Sequence, residues 1–519
     1  VVMKRNLYLN VQEKETALSR FLEAFSHIQP GRERISVIHS LGRITAEAVY
    51  ARYSSPSYNS CAMDGIAVIS AHTKGASESH PLRLIYEKDY LDVDTGDMIM
   101  PPYDAVIMAE DLIETEDGEG YTIIAPTHPF AHVRAIGEDI VAKEMILPTG
   151  HRIRAIDISV LISAGITEIE VIKKPVVGII PTGDEMIEYT EPLEDGKIIE
   201  TNSWMFENLV TENDGIGRRY PILPDDLELI RQKLTEAVSE CDMVIINAGS
   251  SAGRDDYTIH AIQELGEVYT HGVAIKPGKP VILSKIQNKP VIGLPGYPVS
   301  SYLTFTEFVL PVMNMYCRTG GFVRQQKQVT AKLSKTLMSG LKYEEYVRVK
   351  LGIVENELVA SPLERGAGAS MSLVRADGFC VIPQDKEGIL AHENIQVKLV
   401  KDMEQIRKTL VLIGSHDLIL DVINDLMMEE GRDTCLSSTH VGSMAGLIAL
   451  QKKEAHMAPS HLLDEKDGSY NTAITREMFP NEKMVIIKGV RRRQGFIVKK
   501  GNPLNIQNIR DIMYGVRYI

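Results

Sequence analysis

Apolar positions near the N-terminus recur at helical spacing in LSRFLEAFSHI, and a second amphipathic segment follows as far as Tyr50. A turn-rich passage, SSPSYNSCAMDG, comes next. From about residue 65 to 140 the pattern shortens to alternating runs, PLRLIY, DAVIMAEDLI and YTIIAP, broken by Gly, Pro and Asp, which predicts a small β domain. ISVLISAGI then returns to helical spacing.

Between residues 174 and 316 the order strand, Gly-rich loop, helix repeats: VVGII before PTGDE, MVIINAG before SSAGRDDYT, VIGLPG before YPVSSYLTFTEFVL. That alternation predicts an α/β domain with a largely parallel sheet. Residues 322–400 revert to short strands (YVRVKLGIV, GFCVIP, IQVKLV), a second small β domain. KDMEQIRK reads as a linker, and TLVLIGSHDLILDVINDLM opens a new strand and helix at about residue 409.

A chain of 519 residues exceeds one hydrophobic core, and roughly 100 to 200 residues per domain makes it multidomain. With 44% hydrophobic and 24% charged residues its composition is that of a globular protein. A net charge of -14 argues against a nucleic-acid binder, so any anionic ligand must meet locally placed cations. The scattered cysteines Cys61, Cys241, Cys317, Cys380 and Cys435 form no CxxC pair, so neither a zinc site nor a disulfide framework is expected. The N-terminus lacks a signal peptide's apolar core and no stretch reaches the ~20 apolar residues of a membrane span, so a cytoplasmic protein is expected.

In an open parallel sheet the ligand lies beyond the carboxyl ends of the strands, where loops meet helix N-termini. The unusual polar residues fall there: Thr182, Gly183, Asp184 and Glu185 after VVGII; Gly249, Ser250, Ser251, Gly253, Asp255 and Asp256 after MVIIN; Pro295, Gly296, Tyr297 and Pro298 after VIGL. AIKPGKPV adds Lys276 and Lys279. Glycines let backbone N–H groups approach phosphate, lysines supply charge, and carboxylates hold Mg²⁺ between phosphate oxygens. One such loop alone is most simply a strand-to-helix turn, but several on one edge describe a polyanion-plus-metal site. Asp64 in NSCAMDG and Asp139 in AIGEDI read, by position alone, as turn acids.

The ordered set SCAMDG (residues 60–65), GEDI (137–140), PTGDE, GSSAGRDDYT, IKPGKP and GLPGYPVS resembles the MoeA and gephyrin E-domain family over roughly residues 5–400. The resemblance implies insertion of molybdate or tungstate into adenylylated molybdopterin with Mg²⁺ and release of AMP. It implies catalytic roles for Asp64, Asp139, Glu185 and Asp256, metal contacts at Asp64 and Asp256, and phosphate-binding roles for Lys276 and Lys279. The family architecture implies a homodimer whose active site lies between subunits, with Asp64 facing the Lys276 loop of the other chain. It also implies a discontinuous first subdomain (1–50 with 141–173), an inserted β subdomain (51–140), a molybdopterin-binding α/β subdomain (174–321) and a β-barrel-like fourth (322–402). An upstream adenylyltransferase and recipient molybdoenzymes are the implied partners. Cys61, Ala248 and Tyr297 depart from the family's usual Ser, Gly and Asn; Tyr297 is read either as a stacking platform for a pterin or adenine ring or as plain packing.

Residues 409–519 lie outside that core. TLVLIGSHD and LSSTHVGSMAGLIAL each end a strand in small polar residues at a helix start, so two helix N-termini could converge on an anion, with ordinary capping the bland alternative. GSMAGLIALQKKEAHMAPSHLLDEKDGSYN resembles the periplasmic-binding-protein-like domain fused to some MoeA homologues, which implies a small oxyanion ligand. Ser415 and Ser443 are the expected donors, since the loops at residues 415–417 and 437–443 carry no Lys or Arg. The closing GVRYI reads as a strand with no helix after it, an expectation of an incomplete second lobe. The rival functions are a non-catalytic scaffold on the same fold and an oxyanion sensor.

Overall fold

A computed structural model describes residues 11–247, 257–317, 327–491 and 495–515, with side chains as far as residue 512. The chain divides into two compact units: residues 1–325 with 342–345 and 366–370, and the remainder.

The first unit is built round a six-stranded sheet in the order Ile216–Arg219, Val176–Pro181, Met243–Asn247, Lys289–Leu294, Ile282–Ile286, Glu267–His271. The first four strands are parallel. The last two turn antiparallel, because Gln287 and Asn288 (φ 49° and 62°) close a tight hairpin from Ile286 to Lys289 where the loop is too short for a crossover. VVGII, MVIIN and VIGL are nearly continuous apolar runs because both faces of these strands are covered. Helices Leu227–Glu240 and Tyr257–Leu265 set Ile230, Leu234, Val238 and Ile262 against Val244 and Ile246. Helix Asn202–Glu212 carries Phe206, stacked on Phe305 with ring centres 5.7 Å apart.

From Val176–Pro181 the chain first adds Ile216–Arg219 on one side and then crosses back to place Met243–Asn247 on the other. The sheet therefore has its switch point between the ends of Val176–Pro181 and Met243–Asn247, where a doubly wound sheet opens its ligand crevice.

Residues around 51–140 form two three-stranded sheets closed over Ile66, Val68, Leu84, Tyr90, Ile107 and Ile123. Segments on either side of that insertion pair with each other: Arg32–Ser36 with Glu168–Ile172, and Val49–Tyr50 with Met145–Leu147. The second amphipathic segment therefore holds two short strands, Arg32–Ser36 and Val49–Tyr50, with a 3-10 turn Val37–His39 between them and no α-helix. Helix Lys14–Ala24 packs against the edge strand Glu267–His271, with Phe21 edge-on to Tyr269.

In the second unit, Gln328–Leu333, Glu357–Pro362, Gly378–Ile382 and Asn394–Leu399 join the body of Glu344–Val354 in a closed barrel, the closure being made by Glu344–Val354 and Gly378–Ile382. The segment KDMEQIRK is not a free linker: it forms helix Met403–Arg407, whose Met403 and Ile406, three apart, both reach the barrel core. Beyond it Thr409–Gly414 and Cys435–His440 pair in parallel over six residues, each leading into a helix, Ile419–Glu429 and Ser443–Gln451. In the closing GVRYI, Gly515 ends helix Ile509–Gly515 rather than opening a strand, and residues 516–519 lie outside the described residues.

Asp157 shows how the segment after the insertion is fixed. Buried at the start of helix Ala155–Ser163, it accepts hydrogen bonds from the Arg154 backbone at 2.8 Å, the Arg154 guanidinium at 2.8 Å and His151 Nε2 at 2.7 Å. The Arg154 bonds foremost, with His151, hold its carboxyl well below the usual carboxylate range. A depressed folded pKa contributes stability above the unfolded value and loses it as pH falls. Asp157→Asn should cost roughly 1–3 kcal/mol at pH 7. The deficit should shrink from about pH 4 downward, where the unfolded carboxyl protonates. Paired thermal melts across pH check both; a pH-independent deficit would contradict the ionic contribution.

Candidate functional site

Three strand ends meet at the switch point through two buried amides. Asn247, the last residue of its strand, donates from Nδ2 to the carbonyls of Leu294 at 3.2 Å and Pro295 at 2.8 Å. Its Oδ1 accepts from Asn202 Nδ2 at 3.0 Å, which also donates to Gly296 O at 2.7 Å. The Asn247 carbonyl accepts from Thr182 N at 3.0 Å. Asn202 is set in place by Glu200, which accepts from Ser203 N at 2.8 Å and from the Ser203 hydroxyl at the start of the helix. Sequence reading passed over Asn202 and treated Asn247 only as a strand end; the available signal was an amide at the close of an otherwise apolar run, where a carbonyl-rich strand edge needs donors.

The PTGDE segment divides into scaffold and exposed acids. Thr182 N and Gly183 N are committed to the carbonyls of Asn247 and Leu223, each at 3.0 Å, so these groups hold the loop. Gly183 has φ 143°, and a Cβ there would meet Met186 Cγ at 2.8 Å. Asp184 and Glu185 are exposed. Burial first, then the charges of Asp184 and Glu185, raise the Asp225 carboxyl.

Among the described residues no group of three or more His, Cys, Asp or Glu is gathered as a closed metal site. Mg²⁺ keeps several waters and needs only one or two carboxylates beside substrate phosphates, so an exposed acid such as Glu185 suits it without a preformed cluster. Gly249, Ser250, Ser251, Gly253 and Asp256, with Ala248, lie outside the described residues.

Lys276 and Lys279 sit on a loop anchored from several sides. Gln12 exchanges backbone bonds with Gly272 and Ala274, and Glu344 N donates to Ala274 O at 2.8 Å. Buried Lys14 pairs with Glu344 at 2.7 Å and Glu307 at 3.4 Å. Lys276 is exposed and 3.9 Å from buried Glu345, while Lys279 lies over the Tyr343 ring at 5.6 Å. Both ammonium groups thus stand on a fixed loop with a carboxylate and an aromatic face behind them. In the LPGYP loop, Pro295 is buried, Gly296 half-buried, and Pro298 opens helix Pro298–Thr304. Tyr297 is 66% exposed, so its ring is not a core residue.

Asp64 projects from a tight turn after Ser60–Cys61. Buried Cys61 donates its thiol to Met63 O at 2.7 Å, bracing the turn. Gly65 is required there because a Cβ would lie 2.0 Å from the Ile107 carbonyl oxygen. Asp64 Oδ1 accepts from both the hydroxyl and backbone N–H of Thr95 at 2.7 Å, and those two bonds, hydroxyl first, lower its pKa. Asp139 is also exposed, its N–H bonded to Ser55 O at 3.1 Å. Cys61 pairs with Val133 and Ser60 with Arg134 antiparallel, so Asp64 and Asp139 leave that pair from opposite ends. Among the described residues no ion pair joins Asp64 to Lys276 or Lys279 within one chain.

In the second unit Ser415 and Ser443 meet as expected from their strand ends, with hydroxyl oxygens 2.6 Å apart and both residues buried. Ser443 Oγ also accepts from His461 N at 3.0 Å.

Family patterns match along the chain: "MoeA N-terminal region (domain I and II)" at residues 12–165, "Probable molybdopterin binding domain" at 178–315, "MoeA C-terminal region (domain IV)" at 330–400 and "PBP superfamily domain" at 424–519. A Methanocaldococcus jannaschii protein named for molybdopterin biosynthesis is 34% identical over 399 residues, covering 74% of this chain and 95% of the relative. The molybdopterin molybdenumtransferase of Haemophilus influenzae is 29% identical over 388 residues, 70% of this chain and 93% of its own. A solved MoeA molybdopterin biosynthesis protein from Pyrococcus horikoshii superposes with TM-score 0.63 at 32% identity, covering 76% of this chain and all of its own.

The amide network makes a prediction independent of ligand. Asn247→Ala removes an acceptor of the Asn202 amide and a donor to the Leu294 and Pro295 carbonyls, and should cost roughly 1–3 kcal/mol. Tyr297→Phe, at an exposed position, should stay within about 0.5 kcal/mol. Chemical denaturation of both variants checks the contrast, which equal losses would contradict.

Proposed function

The chain belongs to the MoeA family, and on that premise we propose that it is a molybdopterin molybdenumtransferase, inserting molybdate or tungstate into adenylylated molybdopterin with release of AMP. The observation that carries this reading is the crevice at the switch point, where Asn247 and Asn202 bind the PTGDE and LPGYP loops together at the strand carboxyl ends. A pterin nucleotide is a flat heterocycle on a polyanionic tail, and such a crevice suits the tail.

Each side chain then has a task. Lys276 and Lys279 would neutralise charge growing on the phosphate as AMP departs, supplied from a loop that does not reorganise. Tyr297 offers an exposed ring against which a heterocycle could stack. Asp64 and Asp256, the metal contacts that the resemblance implies, would hold Mg²⁺ together with substrate phosphates, with Glu185 as a further carboxylate at the strand end. Bound there, Mg²⁺ would offset the charge of the phosphate oxygens and fix their orientation. Asp64, held through Oδ1 by the Thr95 hydroxyl and N–H, and Asp139 would orient the oxyanion or an attacking water. Because Asp64 meets neither lysine within one chain, the reading includes a homodimer in which a second copy completes the site.

An upstream adenylyltransferase would supply the substrate and a molybdoenzyme accept the product. Among the described residues no helix is long and apolar enough to cross a membrane. Five unpaired thiols suit a reducing cytoplasm.

Purified protein given adenylylated molybdopterin, Mg²⁺ and molybdate should release AMP, and tungstate in competition identifies the preferred metal. Asp64→Ala and Lys279→Ala should each lower turnover on the order of 100-fold with the fold intact. Near-native turnover in Asp64→Ala would remove its catalytic assignment, and no AMP release by the parent protein would favour the scaffold reading.

A second reading concerns the C-terminal unit, where the buried contact between Ser415 and Ser443 favours an oxyanion held by hydroxyls and helix N-termini. Calorimetry with molybdate, tungstate, sulfate and phosphate should show binding that Ser415→Ala and Ser443→Ala weaken at least tenfold. Binding indifferent to both substitutions would leave an interaction module as the better description.

A further inference from the structure

At the carboxyl ends of the parallel pair Thr409–Gly414 and Cys435–His440, two imidazoles stand against each other. His416 Nδ1 lies 3.0 Å from His440 Nε2, and the same His440 nitrogen is 3.1 Å from Ser438 Oγ. The ring centres are only 4.0 Å apart with the planes tilted by 41°. Imidazoles joined end to end by a near-linear N–H···N bond have their centres farther apart than this. The two rings therefore lie side by side, with their facing nitrogens at one edge of the pair.

Hydrogen bonding at that edge is frustrated. His440 Nε2 carries either one proton or one lone pair, so it can donate to or accept from only one of its two neighbours at a time. A cation drawing on the nitrogen lone pairs resolves the conflict. We propose that His416 and His440 form an open chelating site for a divalent transition-metal cation, on the rim of the C-terminal unit beside the Ser415 and Ser443 hydroxyls.

The spacing also indicates which cations fit. With metal–nitrogen bonds of about 2.1 Å, nitrogens 3.0 Å apart subtend an angle of about 90° at the metal. That is the cis angle of square-planar or octahedral coordination, which suits Ni²⁺ or Cu²⁺ better than tetrahedral Zn²⁺. Both histidines are exposed and so reachable from solvent. With no group of three His, Cys, Asp or Glu gathered among the described residues, the remaining coordination positions belong to water or to an incoming anion. Ser415 directly precedes His416, so the cation would bring positive charge to a pair of loops that carry no Lys or Arg.

The test is Ni²⁺ calorimetry on the full chain without a histidine tag, at pH 7.5 in a buffer free of molybdate, sulfate and phosphate. One site should appear, and His416→Ala and His440→Ala should each weaken it at least tenfold, while His461→Ala does not. Cu²⁺ bound to the same protein should show two nitrogen donors by paramagnetic resonance and one in either variant. Circular dichroism of the variants guards against unfolding. Ser415→Ala and Ser443→Ala should leave Ni²⁺ affinity unchanged, so failure of the oxyanion reading is separable from failure of this one. No Ni²⁺ uptake, or uptake equal in His416→Ala and His440→Ala, would overturn the proposal.

Discussion

A buried asparagine at the end of a β-strand ties the proposed catalytic region together. At the carboxyl edge of a parallel sheet the last carbonyls have no strand partner, and leaving them buried without donors is costly. Asn247 supplies donors to two of them, Leu294 and Pro295, while its own carbonyl receives Thr182 N. Asn202 closes the arrangement from the adjoining helix by reaching Gly296. Because the sheet switches direction at this point, the same amides that satisfy the backbone also tie the loops of its two halves together. The glycines and prolines of the loops matter mainly because they let the carbonyls come within reach.

Charge follows from the same frame. A chain of net charge -14 attracts a phosphate only where cations are held locally, and the KPGK loop is held by backbone bonds to Gln12 and by strand residues Glu344 and Glu345. Lys14 contributes indirectly: its ion pairs to Glu344 and Glu307 fasten the N-terminal helix to the elements carrying that loop. Asp184 and Glu185 crowd Asp225 with negative charge on the PTGDE side of the sheet edge.

Much of the fold was legible in the sequence, for a physical reason: doubly covered strands demand continuous apolar runs, so VVGII, MVIIN and VIGL announced the sheet, and the polar residues after them fall at its carboxyl edge. The meeting of Ser415 with Ser443 was legible in the same way, as two small residues at the ends of adjacent parallel strands. Periodicity could not reveal that Thr182 and Gly183 spend their N–H groups on the scaffold, since a free donor and a committed one look alike in sequence. KDMEQIRK misled because its charged residues outnumber the two apolar ones that dock, Met403 and Ile406. The antiparallel hairpin at the sheet edge needed the positive φ of Gln287 and Asn288, an uncommon conformation for residues other than glycine. The His416 and His440 pair escaped notice because neither is remarkable until two strands align them.

The proposed function requires the strand ends bounded by Thr182, Asn247 and Gly296 to receive the pterin nucleotide. The most direct measurement is a crystal structure of the protein with adenylylated molybdopterin and Mg²⁺. The account predicts ligand density at the carboxyl ends of Val176–Pro181 and Met243–Asn247, with its phosphates within ion-pair distance of Lys276 or Lys279. Density on another face of the sheet, or phosphates out of reach of both lysines, would contradict it.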